Sequence, residues 1–214
     1  MALVGLVIPD RFVAAQLRRP SGRFGRWVMT KTLNRGNAEM IAGTLDALAL
    51  RPNDRFLDLG FGGGLAIELA AGRTAGPLWG IDFSPDVVAA AGLKFQRLIR
   101  AGRLNLLCAD VAILPLRAAL VTAIASTNTI YFWPDPKRAL ESLRAVLEPG
   151  GRFALGYSGA AKMDQFSQIT RHGFTTYEPD QVESLLREAG FHEVRTIAQA
   201  GRATKGDYVT LGMA

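Results

Sequence analysis

A short apolar run that stops at a glycine-rich turn, Arg55 to Leu59 followed by Gly60-Phe61-Gly62-Gly63-Gly64, constrains this chain more than any other segment. Glycine reaches backbone conformations closed to other residues, so such a turn is tight and lets a ligand approach the main chain. Helical spacing follows it, from Leu65 to Ala71. The unit then repeats. Strand-like runs at Leu78 to Ile81, Leu104 to Cys108, Val121 to Ala125 and Arg152 to Tyr157 are interleaved with helical patterns at Pro85 to Ile99, Pro136 to Leu147 and Asp180 to Ala189. Two last strand runs, Glu193 to Ala198 and Tyr208 to Leu211, flank a turn region from Gly201 to Gly206. The early strands are continuously apolar, as strands covered on both faces must be. The pattern predicts an α/β fold: a doubly wound, mostly parallel seven-stranded sheet with an antiparallel last strand. Before residue 55 there are only helical signals, such as Asn37 to Leu50 with Asn37 as N-cap. Two regions of one compact unit are expected: an N-terminal helical cap or lid over residues 1–50, and the sheet domain over 51–214.

Composition excludes several classes. A chain of 214 residues suits one domain with a sizeable core. Its single cysteine, Cys108, rules out an internal disulfide and argues against a cysteine-held metal, so no metal is expected. No apolar run approaches the roughly 20 residues that span a bilayer. Met1 to Pro9 lacks the basic start and cleavage site of a secretion signal, so a cytoplasmic location is expected. The net charge is +6. Residues 1–55 carry nine Lys and Arg against four Asp and Glu, which makes the N-terminal arm the basic part of the chain.

The chemistry concentrates at strand ends, where open α/β sheets bind ligands. A dinucleotide fingerprint wants its third glycine at position 65, which is Leu65. It also has no use for Asp58 just before the glycines, because a carboxylate repels a pyrophosphate. A cationic ligand suits Asp58 better, and the methionine end of S-adenosylmethionine carries an ammonium and a sulfonium. The second strand ends in Asp82, placed to accept both ribose hydroxyls of an adenosine. Phe83 stands beside it, and Ser84-Pro85 reads as a helix start. The third strand ends in Cys108-Ala109-Asp110-Val111, where Asp110 can take the adenine amino group and Val111 can pack on the ring.

These motifs resemble those of class I S-adenosylmethionine-dependent methyltransferases. Phe56 to Gly64 is similar to the family's first motif, with its acidic residue and alternating glycines. Asp82 matches the ribose-binding acid, and Ala109-Asp110-Val111 with Leu114-Pro115 looks like the adenine motif. Leu147-Glu148-Pro149-Gly150-Gly151 looks like the turn into the fifth strand. The resemblance covers roughly residues 40–214 and is nearest to the ubiquinone/menaquinone-biosynthesis type. It implies a Rossmann-like methyltransferase fold, an enzyme that uses S-adenosylmethionine and releases S-adenosylhomocysteine, and cofactor contacts from Asp58, Gly60, Gly62, Gly64, Asp82, Phe83, Asp110, Val111 and Asn128. Phe61 departs from the Cys or Ser usual there, which should alter packing beside the methionine moiety.

The fourth strand runs into Ser126-Thr127-Asn128-Thr129-Ile130-Tyr131-Phe132-Trp133, which in the family lines the passage from cofactor to acceptor. Asn128, Tyr131 and His172 are the candidate catalytic residues, with Tyr177 a further candidate base. Tyr131, Phe132 and Trp133 offer aromatic walls there, and of these Trp133 reads more readily as core. The loop lacks the paired prolines of amino-methylating nucleic-acid enzymes, the chain lacks the cysteines of arsenic methyltransferases, and only Asp135 offers a carboxylate for a metal after the fourth strand.

The expected acceptor is a small, lipophilic molecule. The basic arm keeps two partners in view: an RNA, the less favoured, and a membrane surface touched through Leu3, Val4, Leu6, Val7 and Ile8, and through Phe12, Val13, Leu17, Phe24, Trp27 and Val28 interleaved with arginines. A cofactor-binding protein without turnover is a further alternative. As a lid over the acceptor, the arm should be needed for turnover and dispensable for cofactor binding. The acceptor, the atom methylated and the oligomeric state stay open at this point.

Overall fold

The structure, a computed structural model, describes residues 9–22, 36–201 and 204–214. The arm residues at positions 1–8 and 23–35 lie outside the described residues, as do 202 and 203 of the last turn; of the apolar arm residues, Phe12, Val13 and Leu17 are described. In chain order the helices are α1 (Asp10–Arg18), α2 (Ala38–Leu48), α3 (Leu65–Arg73), α4 (Pro85–Lys94), α5 (Gln96–Arg100), α6 (Pro136–Val146), α7 (Ala160–Met163), α8 (Ser167–Thr170) and α9 (Pro179–Glu188). The strands are β1 (Phe56–Leu59), β2 (Leu78–Asp82), β3 (Leu104–Cys108), β4 (Val121–Thr127), β5 (Leu147–Ser158), β6 (His192–Ala198) and β7 (Asp207–Met213).

Among the described residues these strands form one sheet in the order β3-β2-β1-β4-β5-β7-β6. β1 to β5 pair in parallel, and β7 runs antiparallel to both β5 and β6. The strand order reverses at β1 and β4, so the tips of those two strands flank the crevice in which such sheets bind ligands.

Strand side chains alternate between faces, and the core divides accordingly. Leu57, Ile124, Phe153 and Leu155 point to the face covered by α6 and α9, through Leu140, Leu143, Val182 and Leu186. Phe56, Ala123 and Ala154 point to the other face, packed by Leu45 and Leu48 of α2, Ile67 of α3 and Val87 of α4. Residues 38–48 therefore belong to a helix on the sheet's face. Among the described residues of the first 50, those over the mouth of the sheet come from α1, the segment to Gly22 and the start of α2.

Local chemistry sets the ends. Ser84 caps α4, its Oγ accepting the Val87 N–H at 3.4 Å with Pro85 at the first helical position. Asp135 caps α6 by accepting the Arg138 N–H at 3.0 Å. Asn37 precedes α2 without a side-chain cap. The single helix read over 85–99 is two, broken at Phe95 (φ −103°, ψ 21°). The break keeps the Phe95 ring in the core, where it closes over Gly64. The turn read at Leu147 to Gly151 is drawn into β5 as an irregularity. Gly150 there takes φ +76° and donates to the Ala214 carbonyl at 3.0 Å.

Candidate active site

The tips of β1 to β5 and the start of β7 open into one cavity of about 450 Å³. Asp58, Gly60, Gly62, Asp82, Phe83, Asp110, Val111, Asn128 and Tyr131 all line it. Three of the candidate site residues named from sequence stand elsewhere. Gly64 is the left-handed residue that starts α3 (φ +74°), and a Cβ there would sit 2.5 Å from the Phe95 ring, so its role is close packing. His172 is exposed, accepts a hydrogen bond from Arg171 Nε at 3.4 Å and does not line the cavity. Tyr177 is buried, also away from the cavity.

The β1 and β2 end is a buried acidic cradle. Asp82 Oδ2 accepts the Gly62 N–H at 3.1 Å and Oδ1 accepts the Ser84 N–H at 2.9 Å, so one carboxylate pins both the glycine turn and the next helix start. Asp58 is 4% exposed and its Oδ2 has no hydrogen-bond partner. Burial, reinforced by the Asp82 charge and opposed by the Ile67 N–H, pushes its carboxyl up to about 8. Burial also raises Asp82, against the N–H groups of Ser84, Gly62 and Phe83. An orphaned buried carboxylate oxygen is costly and is relieved by a cation. The ammonium of an amino-acid ligand beside Asp58 would supply one, and Asp82 next door suits ribose hydroxyls. The cradle therefore fits S-adenosylmethionine. Asp110 sits at the exposed rim, its Oδ1 accepting the Ala112 N–H at 2.8 Å.

Gly60 is where the backbone must be bare. It has φ +68°, and a Cβ built there runs into Thr129 Cγ2. Thr129 has little room to yield, because its hydroxyl lies 2.6 Å from Ser126 Oγ, which in turn donates to the Leu59 carbonyl at 2.9 Å. Gly60→Ala is expected to cost about 2 kcal/mol from backbone strain and crowding. That is a fall in Tm of roughly 4–8 °C for a chain of this size. A thermal melt checks it.

The other half of the cavity lies under β4, β5 and β7. Asn128 holds a left-handed conformation (φ +56°), with its N–H on the Gly156 carbonyl at 2.8 Å. The Tyr131 hydroxyl lies 3.0 Å from Asn128 Oδ1 and 3.2 Å from the Ser158 carbonyl oxygen, and it accepts the Ser158 N–H at 2.6 Å. Burial pushes the Tyr131 hydroxyl far above its usual range, so it stays protonated and orients the β4 tip rather than accepting a proton. Phe132 and Phe174 meet edge to face at 4.6 Å, and Tyr131 lies 6.1 Å from Phe174. Trp133, which also belongs to the core, Met163 and Phe166 complete an aromatic and thioether wall.

Several lining residues were not among those singled out from sequence: Ser158, Lys162, Asp207, Met40 and Ile41. Asp207 is 49 residues from Ser158, yet the antiparallel β5–β7 register sets the two side by side. The one available signal was that the first residue of an antiparallel last strand shares the sheet end of the other strands' tips. Over the mouth, Leu17, Arg18 and Pro20 follow from α1. Ser84 Oγ donates to the Pro20 carbonyl at 2.6 Å, the Gly22 N–H donates to Asp86 Oδ2 at 2.8 Å, and the Arg19 guanidinium lies 5.5 Å from the Phe83 ring centre.

The comparisons with known proteins agree with this geometry. The family model for the methyltransferase domain matches residues 57–155. An O-methyltransferase of Pyrenophora dematioidea is 28% identical over 178 residues, covering 78% of this chain and 65% of that protein. The ubiquinone/menaquinone biosynthesis C-methyltransferase of Geotalea daltonii is 34% identical over 107 residues, covering 49% of this chain and 45% of that one. A SAM dependent methyltransferase from Aquifex aeolicus superposes with a TM-score of 0.69 at 19% identity, over 95% of this chain and 98% of that one, a likeness of fold. The chain spans between 32% and 65% of the length of the curated relatives it matches first. Among the described residues no helix is long and apolar enough to cross a membrane, and no cluster of side chains is suited to a metal. Residues 57–155 thus match a methyltransferase domain, and the motif residues gather at the strand tips of the expected sheet, an arrangement similar to that of S-adenosylmethionine-dependent methyltransferases.

Proposed function

We propose that this chain transfers the methyl group of S-adenosylmethionine to a small, lipophilic acceptor held beneath the tips of β4, β5 and β7. The observation that carries the reading is the continuity of the cavity: one space joins the acidic cradle of Asp58 and Asp82 to an aromatic chamber. The bound cofactor supplies an electrophilic methyl on a sulfonium. The residues of the chain do the rest. Asp58 and Asp82 fix the donor, and the Asn128–Tyr131–Ser158 bonds fix the chamber floor. Together they align acceptor and methyl for in-line displacement, which lowers the entropic part of the barrier. The walled chamber favours a small acceptor over an RNA, and a built acceptor chamber favours turnover over cofactor binding alone. Incubation with methyl-tritiated S-adenosylmethionine and a panel of phenols, quinols, enols and amines, with bulk RNA as the contrast, is the test. Label in the small-molecule fraction supports the reading. Label in RNA alone, or none anywhere, overturns it.

The N-terminal segment is part of this reading as a lid, and its contacts revise the expectation that it is dispensable for cofactor binding. It touches the β2–α4 turn through Ser84, Asp86 and Phe83 as well as the acceptor side. Deleting residues 1–22 should therefore abolish turnover and also weaken S-adenosylmethionine binding by about tenfold, the worth of one or two hydrogen bonds. Titration calorimetry on the truncated chain measures the second effect. Unchanged affinity and turnover would exclude a lid.

A further inference from the structure

Asp207, at the start of β7, is 3% exposed and has both carboxylate oxygens engaged: Oδ1 accepts the Ser158 hydroxyl at 2.5 Å and Oδ2 meets Lys162 Nζ at 2.8 Å. The Lys162 side chain is 23% exposed and lines the cavity. Among the described lining residues it and Arg18 are the cations, and Arg18 is exposed at the end of α1. The two stand differently. Lys162 is anchored by a buried partner and lines the same cavity as Phe132, Met163, Phe166 and Phe174. An ammonium is a point charge, and in a partly desolvated chamber it acts on an adjacent anion by Coulomb attraction whatever its other donors do.

The acceptor half also lacks a proton acceptor among its described residues. Tyr131 holds its proton, Asp207 has both oxygens engaged by Ser158 and Lys162, and neither histidine lines the cavity. Asp58, Asp82 and Asp110 stand at the β1, β2 and β3 tips, on the cofactor side. A nucleophile in this chamber has to ionise by itself, and a cation beside an aromatic slot favours that.

We infer that the acceptor is a planar aromatic or conjugated molecule with an acidic hydroxyl, a phenol or enol, bound as its anion with the oxygen against Lys162 and the ring among Phe132, Phe166 and Phe174. This rests on the methyltransferase reading and narrows it. The proton leaves for solvent as the anion enters. One electron pair of the anion then forms the new bond to the methyl carbon, the carbon–sulfur bond breaks, and its pair stays on sulfur. A cation and an anion thereby become two neutral products, a thioether and the methylated acceptor. Lys162 favours the anion and orients it. Asp207, through Lys162 and Ser158, is a positioning residue.

The test uses 4-nitrophenol, whose visible absorption reports its ionisation, and 4-nitroanisole, its neutral methyl ether, each titrated into the full chain with and without S-adenosylhomocysteine. We expect 4-nitrophenolate to bind at least tenfold tighter than the ether, and the bound phenol to ionise at lower pH than in water. Lys162→Met should erase both effects, while Lys162→Arg should keep most of the preference. S-adenosylhomocysteine binding to each variant shows that the cofactor half remains intact. Equal binding of phenolate and ether by the unaltered protein would overturn the inference, as would a preference that survives in Lys162→Met. If S-adenosylhomocysteine fails to bind, the methyltransferase reading fails separately, and the titrations without it still decide whether the chamber selects an anion.

Discussion

Asp82→Ala is expected to weaken S-adenosylmethionine binding by about 100-fold or more. Two charge-assisted hydrogen bonds from ribose hydroxyls are worth roughly 1.5–3 kcal/mol each, and every 1.4 kcal/mol is about a factor of ten in affinity. The same carboxylate holds the Gly62 and Ser84 N–H groups, so its removal also loosens the turn that shapes the cofactor half. The folded state should survive, because the group being removed is a buried carboxyl at a cavity wall and leaves the core on both sheet faces untouched. Calorimetry gives the affinity and a thermal melt confirms the fold. An affinity within a few-fold of the unaltered protein would move the ribose away from Asp82.

The second large effect is on pH. Without cofactor, burial holds the Asp58 carboxyl up to about 8, so the group is mostly protonated at neutral pH. A cationic ligand favours the carboxylate. Below about pH 8, binding should therefore release a proton, and affinity should climb with pH by up to about tenfold per unit before levelling above pH 8. Asp82, also raised by burial, adds in the same direction. For the cofactor-free protein the sign is opposite. The Asp58 contribution to stability is complete at low pH and is lost as pH rises from the ordinary value of 3.8 through about 8. Asp58→Asn should flatten both dependences and lower the affinity at pH 8. Titrations in two buffers of different protonation enthalpy count the protons released. Affinity independent of pH between about 6 and 8 would contradict the Asp58 assignment.

What could be read from the sequence was local. Asp58, Gly60, Gly62 and Asp82 lie within a few residues of strand ends, and a parallel sheet carries every such end to the same edge, so spacing along the chain is enough to predict their meeting. Lys162, Asp207 and Ser158 are assembled by the register of β5 against β7, which no short-range spacing records. His172 attracted attention for its chemistry alone. It follows the four-residue α8 and points its ring to solvent beside Arg171. The helix over 85–99 keeps a helical apolar spacing right through Phe95, so the demand that this ring pack on Gly64, 31 positions earlier, was invisible in the pattern. For α2, the helix itself was clear from residues 37–50. Its face-packing position depends on Leu45 and Leu48 meeting Phe56 and Ile67 in the core, again a tertiary fact.

The account stands on the claim that Asp58 and Asp82 form the cradle of an S-adenosylmethionine site. Titration of the cofactor into the unaltered chain at pH 8, followed by calorimetry, tests it most directly. Saturable binding at a single site with micromolar affinity is the predicted result. No binding heat from a protein that melts cooperatively would contradict it.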